Sequence, residues 1–223
     1  MAQTEDPRRQ KILARVRKAL ASPAQKPPQH SVAATYAPIA DPLERFRSEC
    51  AGNNTECIVT PNLRASAVAI ADVLAAFPAG EIFIQDAPEL RAMGGAWSRH
   101  AVHWSTDTTP GNSNKRPGES SQATITLAET LVAQTGSVLV SSACGGRAAP
   151  FVAPLHIVVA TAAQLVADLE VALARVREQG TALKNSYLSL ITGSSRTADI
   201  EKILVMGAHG PRRLIVTVAL SKE

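Results

Sequence analysis

The five residues Gly193, Ser194, Ser195, Arg196 and Thr197 are the segment whose types and spacing most directly suggest ligand chemistry. They follow an apolar run, 188–192, that reads as a strand, and precede 197–204, which reads as a helix. A Gly-Ser turn ahead of a helix presents free backbone N–H groups at the positive end of the helix dipole, an arrangement that favours phosphate or carboxylate. Arg196 adds a bidentate anion contact, and Ser194, Ser195 and Thr197 add hydroxyl donors. The spacing of a nucleotide-binding P-loop is absent. The same residues also fit a purely structural role, with Ser195 or Thr197 capping the helix and Arg196 pairing with Asp199.

A second candidate is His209, set in Gly207-Ala208-His209-Gly210-Pro211 just before the last strand. A histidine between flexible turn residues can titrate near neutrality. His156 opens the apolar run His156-Ile157-Val158-Val159 and reads instead as a structural, partly buried histidine. Cys50, Cys57 and Cys144 are too few and too irregularly spaced for a disulfide framework or a four-cysteine metal site. An iron–sulfur cluster held by this chain alone is therefore not expected. Each thiol reads first as a small buried side chain.

The elements that must position these residues follow an α/β pattern. Residues 7–21 carry Ile12, Leu13, Val16, Ala19 and Leu20 at helical spacing, opposite a basic face. A proline-bearing stretch follows, so residues 1–40 read as an amphipathic helix and linker, and residues 41–223 as the main domain. Such an arm could fold back, pack on a partner or join copies of the chain into a homo-oligomer. Helices are expected at 42–51, 61–77, 163–179 and 197–204. Strands are expected at 56–60, 81–85, 101–105, 123–126, 130–133, 137–141, 155–160, 188–192 and 213–220. Gln134-Thr135-Gly136 marks a tight hairpin between two of them. Strands alternating with helices imply a mostly parallel, Rossmann-like sheet with helices on both faces. The stretch 107–122, rich in Thr, Pro, Gly, Asn and Ser, reads as a long loop.

Composition narrows the function classes. The chain has 223 residues, 45% hydrophobic and 19% charged, enough for a substantial aliphatic core. No apolar run approaches the roughly 18 residues of a membrane-spanning helix, and the first residues lack the apolar core of a signal peptide. A cytoplasmic protein is expected. The net charge of +4 is dispersed outside the first helix and has no interleaved aromatics, so no specific nucleic-acid partner is expected.

Taken in order, Val132-Ala133-Gln134-Thr135-Gly136-Ser137, Arg147, Pro154-Leu155-His156-Ile157, Ile191 to Glu201 and Gly207 to Pro211 resemble the lactate utilization protein C family, the LUD domain. Ile12 to Leu20 resembles the family's opening helix. The resemblance implies a fold similar to the sugar-phosphate isomerase and CoA-transferase (NagB/RpiA-like) group. It also implies an accessory role in oxidising L-lactate to pyruvate, with the iron–sulfur clusters carried by partner oxidoreductase subunits and no cofactor on this chain. Thr135 and Gly136 then join the 193–197 residues as binding candidates for a small anionic ligand. Departures from the family pattern matter. Gln134 stands where the family has Glu, and an amide cannot act as a general base. Ser194 replaces Pro, and Glu129 replaces Asp in the segment Thr126-Leu127-Ala128-Glu129.

Whether the chain turns over a substrate stays open. The alternative to an accessory subunit is a stand-alone isomerase or transferase acting on a sugar phosphate or acyl-CoA-like substrate. Glu129, Asp199 and His209 would be its candidate acid–base groups. Its requirement is spatial: at least one of them must lie in one pocket with the Arg196 loop.

Overall fold

The computed structural model describes residues 7–21, 37–107, 120–198, 204–206 and 210–223. The chain divides into two units, Met1–Ala37 and Pro38–Glu223. In the first, Pro7–Ala21 is a helix (α1) in which no residue is buried. Ile12, Val16 and Leu20 form its exposed apolar stripe.

In chain order the second unit holds α2 (Pro42–Gly52), β1 (Thr55–Asn62), α3 (Leu63–Ala75), β2 (Glu81–Ile84), α4 (Pro88–Met93), β3 (Ala101–Trp104), β4 (Ala123–Leu127), β5 (Thr130–Val132) and β6 (Ser137–Ser141). There follow α5 (Ala149–Val152), β7 (Leu155–Thr161), β8 (Leu165–Val166), α6 (Leu169–Glu178), α7 (Thr181–Lys184), β9 (Leu188–Ile191), β10 (Arg196–Ala198), β11 (Leu204–Met206) and β12 (Arg213–Ser221).

Six strands form one sheet in the order β1-β12-β7-β4-β2-β3, and every neighbouring pair is parallel. Every residue of β7 is buried, which is why Leu155-His156-Ile157-Val158-Val159 reads as a continuous apolar run rather than an alternating one. On one face, Ile82, Ile125, Ile157 and Ile215 pack against Ile70 and Leu74 of α3, Leu90 of α4 and Trp97. The Trp97 indole N–H reaches the carbonyl of Ala67 at 3.2 Å, so the bulkiest buried side chain has its polar atom satisfied.

The other face differs from the expected helical layer. A second sheet, β8-β5-β6-β9, covers it together with α2. Its β5–β6 and β6–β9 pairs are antiparallel. Leu131, Val138, Val140 and Ile191 from this sheet, with Phe46 from α2, pack on Val158, Leu214 and Val216. The hairpin expected at Gln134-Thr135-Gly136 joins β5 and β6, with Gly136 at φ 62°.

Two expected helices take other forms. The helix expected over 163–179 begins only at Leu169, because Asp168 caps it by accepting from the Val171 N–H at 2.9 Å. Ahead of it, Thr161 and Gln164 close a short turn, and Leu165–Val166 adds a parallel strand to β5. The helix expected over 197–204 gives way to strand at both of its described ends, where Arg196–Ala198 pairs antiparallel with Leu204–Met206; residues 199–203 lie outside the described residues. The apolar spacing there is short enough to serve either period.

Candidate functional site

The first candidate region is a junction of three turns. Asn53 and Asn54 end α2, and Asn54 has the left-handed φ of 56° that asparagine tolerates. The Asn53 amide donates to the Thr135 carbonyl at 3.0 Å, and the Asn54 amide donates to Ser194 Oγ at 3.0 Å. Ser137 Oγ lies 2.7 Å from Thr135 Oγ1 and 2.6 Å from Thr192 Oγ1. The Ser195 N–H donates to the Pro211 carbonyl at 2.9 Å. Thr135, Gly136, Gly193, Ser194 and Ser195 are thus drawn into one region, as their shared role as ligand candidates requires. Gly193 adopts φ 88°, and Ser194 is only 5% exposed.

The Thr135, Ser137 and Thr192 hydroxyls are bonded to one another, Ser194 Oγ accepts from Asn54, and β10 rather than a helix follows them. The positive helix end on which the anion argument rested is therefore missing. The backbone of Arg196 and Thr197 lies on β10; their side chains, and Asp199 and His209 entirely, lie outside the described residues.

Glu129 belongs to a different place. It follows β4, and its N–H donates to the Leu139 carbonyl at 2.8 Å. Its Oε1 accepts from Ser141 Oγ at 2.6 Å. Ser141 and Ser137 occupy opposite ends of β6, four residues and roughly 13 Å apart. Glu129 therefore does not meet the 193–195 turn.

Glu129 instead lines a crevice of about 290 Å³ beyond the carboxyl ends of the parallel strands. Leu127 ends β4, Val159, Ala160 and Thr161 end β7, and Lys222 follows β12. Open α/β sheets place ligands at this edge, where helix starts and strand ends converge. Gln164 is fixed in the wall: its Oε1 accepts from the Thr161 N–H at 2.7 Å, and its amide donates to the Ala128 carbonyl. Arg175 and Gln179, one turn apart on α6, form the opposite side. Lys222 Nζ lies 3.8 Å from Glu89, a loose and exposed ion pair. Arg175 is half-buried as a residue and has no ion-pair partner among the described residues.

Arg175, Lys222 and Gln164 escaped sequence reasoning. Arg175 reads as the solvated face of an amphipathic helix, and Lys222 as an ordinary terminal lysine. The usable signal was topological: the residue after the closing strand of a parallel sheet sits at the ligand edge. Beside the crevice, sharing Leu63, Glu89 and Lys222 with it, runs an apolar groove of about 610 Å³ walled by Ala67, Val68 and Met93.

His156 is fully buried in β7, with Nε2 2.9 Å from Thr126 Oγ1. Burial lowers its pKa to about 3, so the ring is neutral. Burial likewise raises the Cys144 thiol to about 11, which leaves it a poor nucleophile.

A parallel sheet with a small, largely antiparallel sheet laid on one face defines the class of this domain, and the crevice at its carboxyl edge is the natural place for a ligand. The LUD domain model matches residues 43–218, and the chain belongs to that family. It is 28% identical over 192 residues to a lactate utilization protein C from Geobacillus sp. (strain WCH70), covering 81% of this chain and 78% of that protein. It is also 28% identical over 207 residues to the protein of that name from Geobacillus thermodenitrificans, covering 87% and 85%. The Bacillus subtilis protein of the same name matches at 28% over 177 residues, covering 74% and 73%. A crystal structure of a DUF162 family protein from Deinococcus radiodurans superposes with a TM-score of 0.60 at 20% identity, covering 82% of this chain and 99% of that one. That likeness shows the α/β fold. Among the described residues no helix is long and apolar enough to cross a membrane.

Proposed function

We propose that this protein is a non-redox accessory subunit in the oxidation of L-lactate to pyruvate, acting with separate iron–sulfur oxidoreductase subunits and binding a small carboxylate. The likeness to proteins named lactate utilization protein C supports the pathway. The observation that carries the ligand is Arg175, a half-buried residue without an ion-pair partner among the described residues, lining a crevice that also holds Lys222. An unpaired Arg in a crevice wall suits a bidentate carboxylate. The 193–197 loop was the expected anchor, but Ser194 Oγ is engaged by the Asn54 amide and a strand rather than a helix follows the turn, so the crevice serves an anion better. The junction of Thr135, Gly136 and Ser194 then braces the small sheet that carries Glu129.

The test has two arms. Calorimetric titration of the full chain with L-lactate and with pyruvate should give binding that weakens about tenfold or more in Arg175→Ala, the loss of one charge-assisted contact. Unchanged affinity in that variant removes the crevice from the proposal. Lactate-dependent dye reduction by the iron–sulfur subunits should fall when this chain is left out, and equal rates without it would overturn the accessory role.

The second reading, a stand-alone isomerase or transferase on a sugar phosphate or acyl-CoA-like substrate, required an acid–base group in one pocket with the Arg196 loop, a place Glu129 does not occupy. One feature still supports it in the crevice instead. Glu129 is a carboxylate lining a crevice that adjoins an apolar groove. Turnover lost in Glu129→Gln with binding retained would support it.

A further inference from the structure

Cys50 and Cys57 are seven positions apart in sequence, and the fold brings both to one apolar cluster. Cys50 ends α2 and is fully buried; Cys57 lies on β1, the edge strand of the large sheet, and packs against the cluster that contains Cys50. Each thiol is the largest single influence on the other's ionisation. A separate hollow of about 350 Å³ opens on Cys57 and is lined also by Glu44, Arg47 and Thr55. Thr55 is two residues before Cys57 on β1, hence on the same face. Its hydroxyl is buried, 5% exposed as a residue, and has no hydrogen-bond partner. An orphan hydroxyl beside an accessible thiol is a ready donor to a small polar oxidant.

We propose that Cys57 and Cys50 form a peroxide-reactive dithiol, with Cys57 the attacked-first, accessible thiol and Cys50 the buried resolving one. The Cys57 thiolate attacks the near oxygen of a hydroperoxide, the O–O bond breaks, and an alcohol or water leaves with one proton while Cys57 becomes a sulfenic acid. Cys50 sulfur then attacks Cys57 sulfur; the S–S bond forms, the S–O bond breaks, and the Cys50 proton leaves with the hydroxyl as water. The net change is two thiols and one hydroperoxide to one disulfide, one alcohol and one water, with two electrons passing from sulfur to oxygen. A small dithiol reductant reverses it by exchange.

The electrostatics agree with this order. The neighbouring Cys50 side chain lowers the Cys57 pKa against the opposing effect of burial, and the Arg47 charge lowers it further. The neighbouring Cys57 and burial raise Cys50, which keeps its proton. Among the described residues no third His, Cys, Asp or Glu joins the pair in a metal-binding group. Cys50 Sγ donates to the Gly136 carbonyl at 3.7 Å, so forming the disulfide withdraws that contact from the turn beside Thr135.

The full chain, reduced and then exposed to a few equivalents of hydrogen peroxide, should lose two hydrogens in intact mass and retain a single alkylatable thiol, Cys144. Peptide mapping should place the crosslink between Cys50 and Cys57, and dithiothreitol should restore both thiols. In Cys50→Ser the reaction should stop at a Cys57 sulfenic acid that a dimedone probe traps. Cys57 should also alkylate about tenfold or more faster than Cys50 in the native protein. Cys57 passing directly to sulfinic acid in the unmodified chain, a disulfide between two chains, or oxidation at Cys144 first would each overturn the proposal. The wild-type mapping stands by itself if Cys50→Ser fails to fold.

Discussion

The Asn54 side-chain amide donates to the Ser194 hydroxyl at 3.0 Å across 140 positions of sequence. This bond ties the turn after α2 to the turn after β9, and so connects the edge of the large sheet to the small one. Asn53, its neighbour, ties the same turn to Thr135. Two consecutive asparagines thus fix the relative placement of segments that sequence alone leaves unrelated.

Asn54 contributes in two separable ways, through its amide and through its left-handed backbone. Asn54→Ala should lose about 2 kcal/mol of stability, roughly half from the bond to a buried hydroxyl and half because alanine lacks the short polar side chain that lets asparagine tolerate the left-handed backbone. Asn54→Gly should lose only the first part, about 1 kcal/mol. Urea midpoints with equal slopes measure the difference. Equal losses in both variants would show that the backbone conformation carries no cost.

Gly136 is a more severe constraint. It has φ 62°, and a Cβ there would stand 2.7 Å from the Cys50 backbone nitrogen and 2.8 Å from the Glu49 carbonyl carbon. Backbone atoms of a packed helix end cannot step aside as a flexible side chain would. Gly136→Ala should cost about 3 kcal/mol, read as a drop in urea midpoint, and should loosen the β5–β6 turn from α2. A loss well under about 1 kcal/mol would mean that the turn relaxes away from α2.

The large sheet was legible in the sequence because its strands are short apolar runs of Val, Ile and Leu set off by turn residues, and all six fall where those runs do. The β5–β6 hairpin was legible in Gln134-Thr135-Gly136. The fate of 197–204 was not, since a few apolar residues fit a helix or a strand, and the partner that decides between them is itself only three residues long. The crevice was half legible. Glu129 was singled out, but Arg175 and Lys222 come from elements 46 and 93 positions further on, and no local spacing joins them. Cys50 and Cys57 were read as unrelated thiols because contact across a helix–turn–strand depends on the turn at Asn53 and Asn54.

The Ser141 hydroxyl holds Glu129 in the crevice wall at 2.6 Å, and Ser141 is 2% exposed. Ser141→Ala removes the donor and frees the carboxylate. Stability should fall by about 1.5–3 kcal/mol, the range for a hydrogen bond to a charged group. Glu129→Gln keeps an acceptor oxygen at the same reach and should cost less. If the crevice binds a carboxylate, Glu129→Gln should also tighten that binding by removing a like charge, a change that calorimetry resolves. Weaker binding in Glu129→Gln would instead assign Glu129 a direct contact with the ligand.

His156 makes the domain sensitive to acid. In the folded chain burial holds its pKa near 3, whereas the unfolded chain has the ordinary value of 6.5. Between these values the unfolded state binds a proton that the folded state does not, so stability rises with pH across that window. The contribution is complete above 6.5 and is lost progressively as pH falls toward 3, with a slope approaching about 1.4 kcal/mol per pH unit. His156→Gln offers Thr126 a neutral partner of similar reach and removes the titration. It should lower stability near neutrality, because the replacement repacks a fully buried site and brings in an amide with an additional buried polar group to satisfy. Its stability should nonetheless vary less with pH than that of the wild type, and the two curves should converge as the buffer is taken from about pH 7 to about pH 4. Parallel curves would mean that the folded chain takes up the proton at His156, which its complete burial between the two sheets opposes.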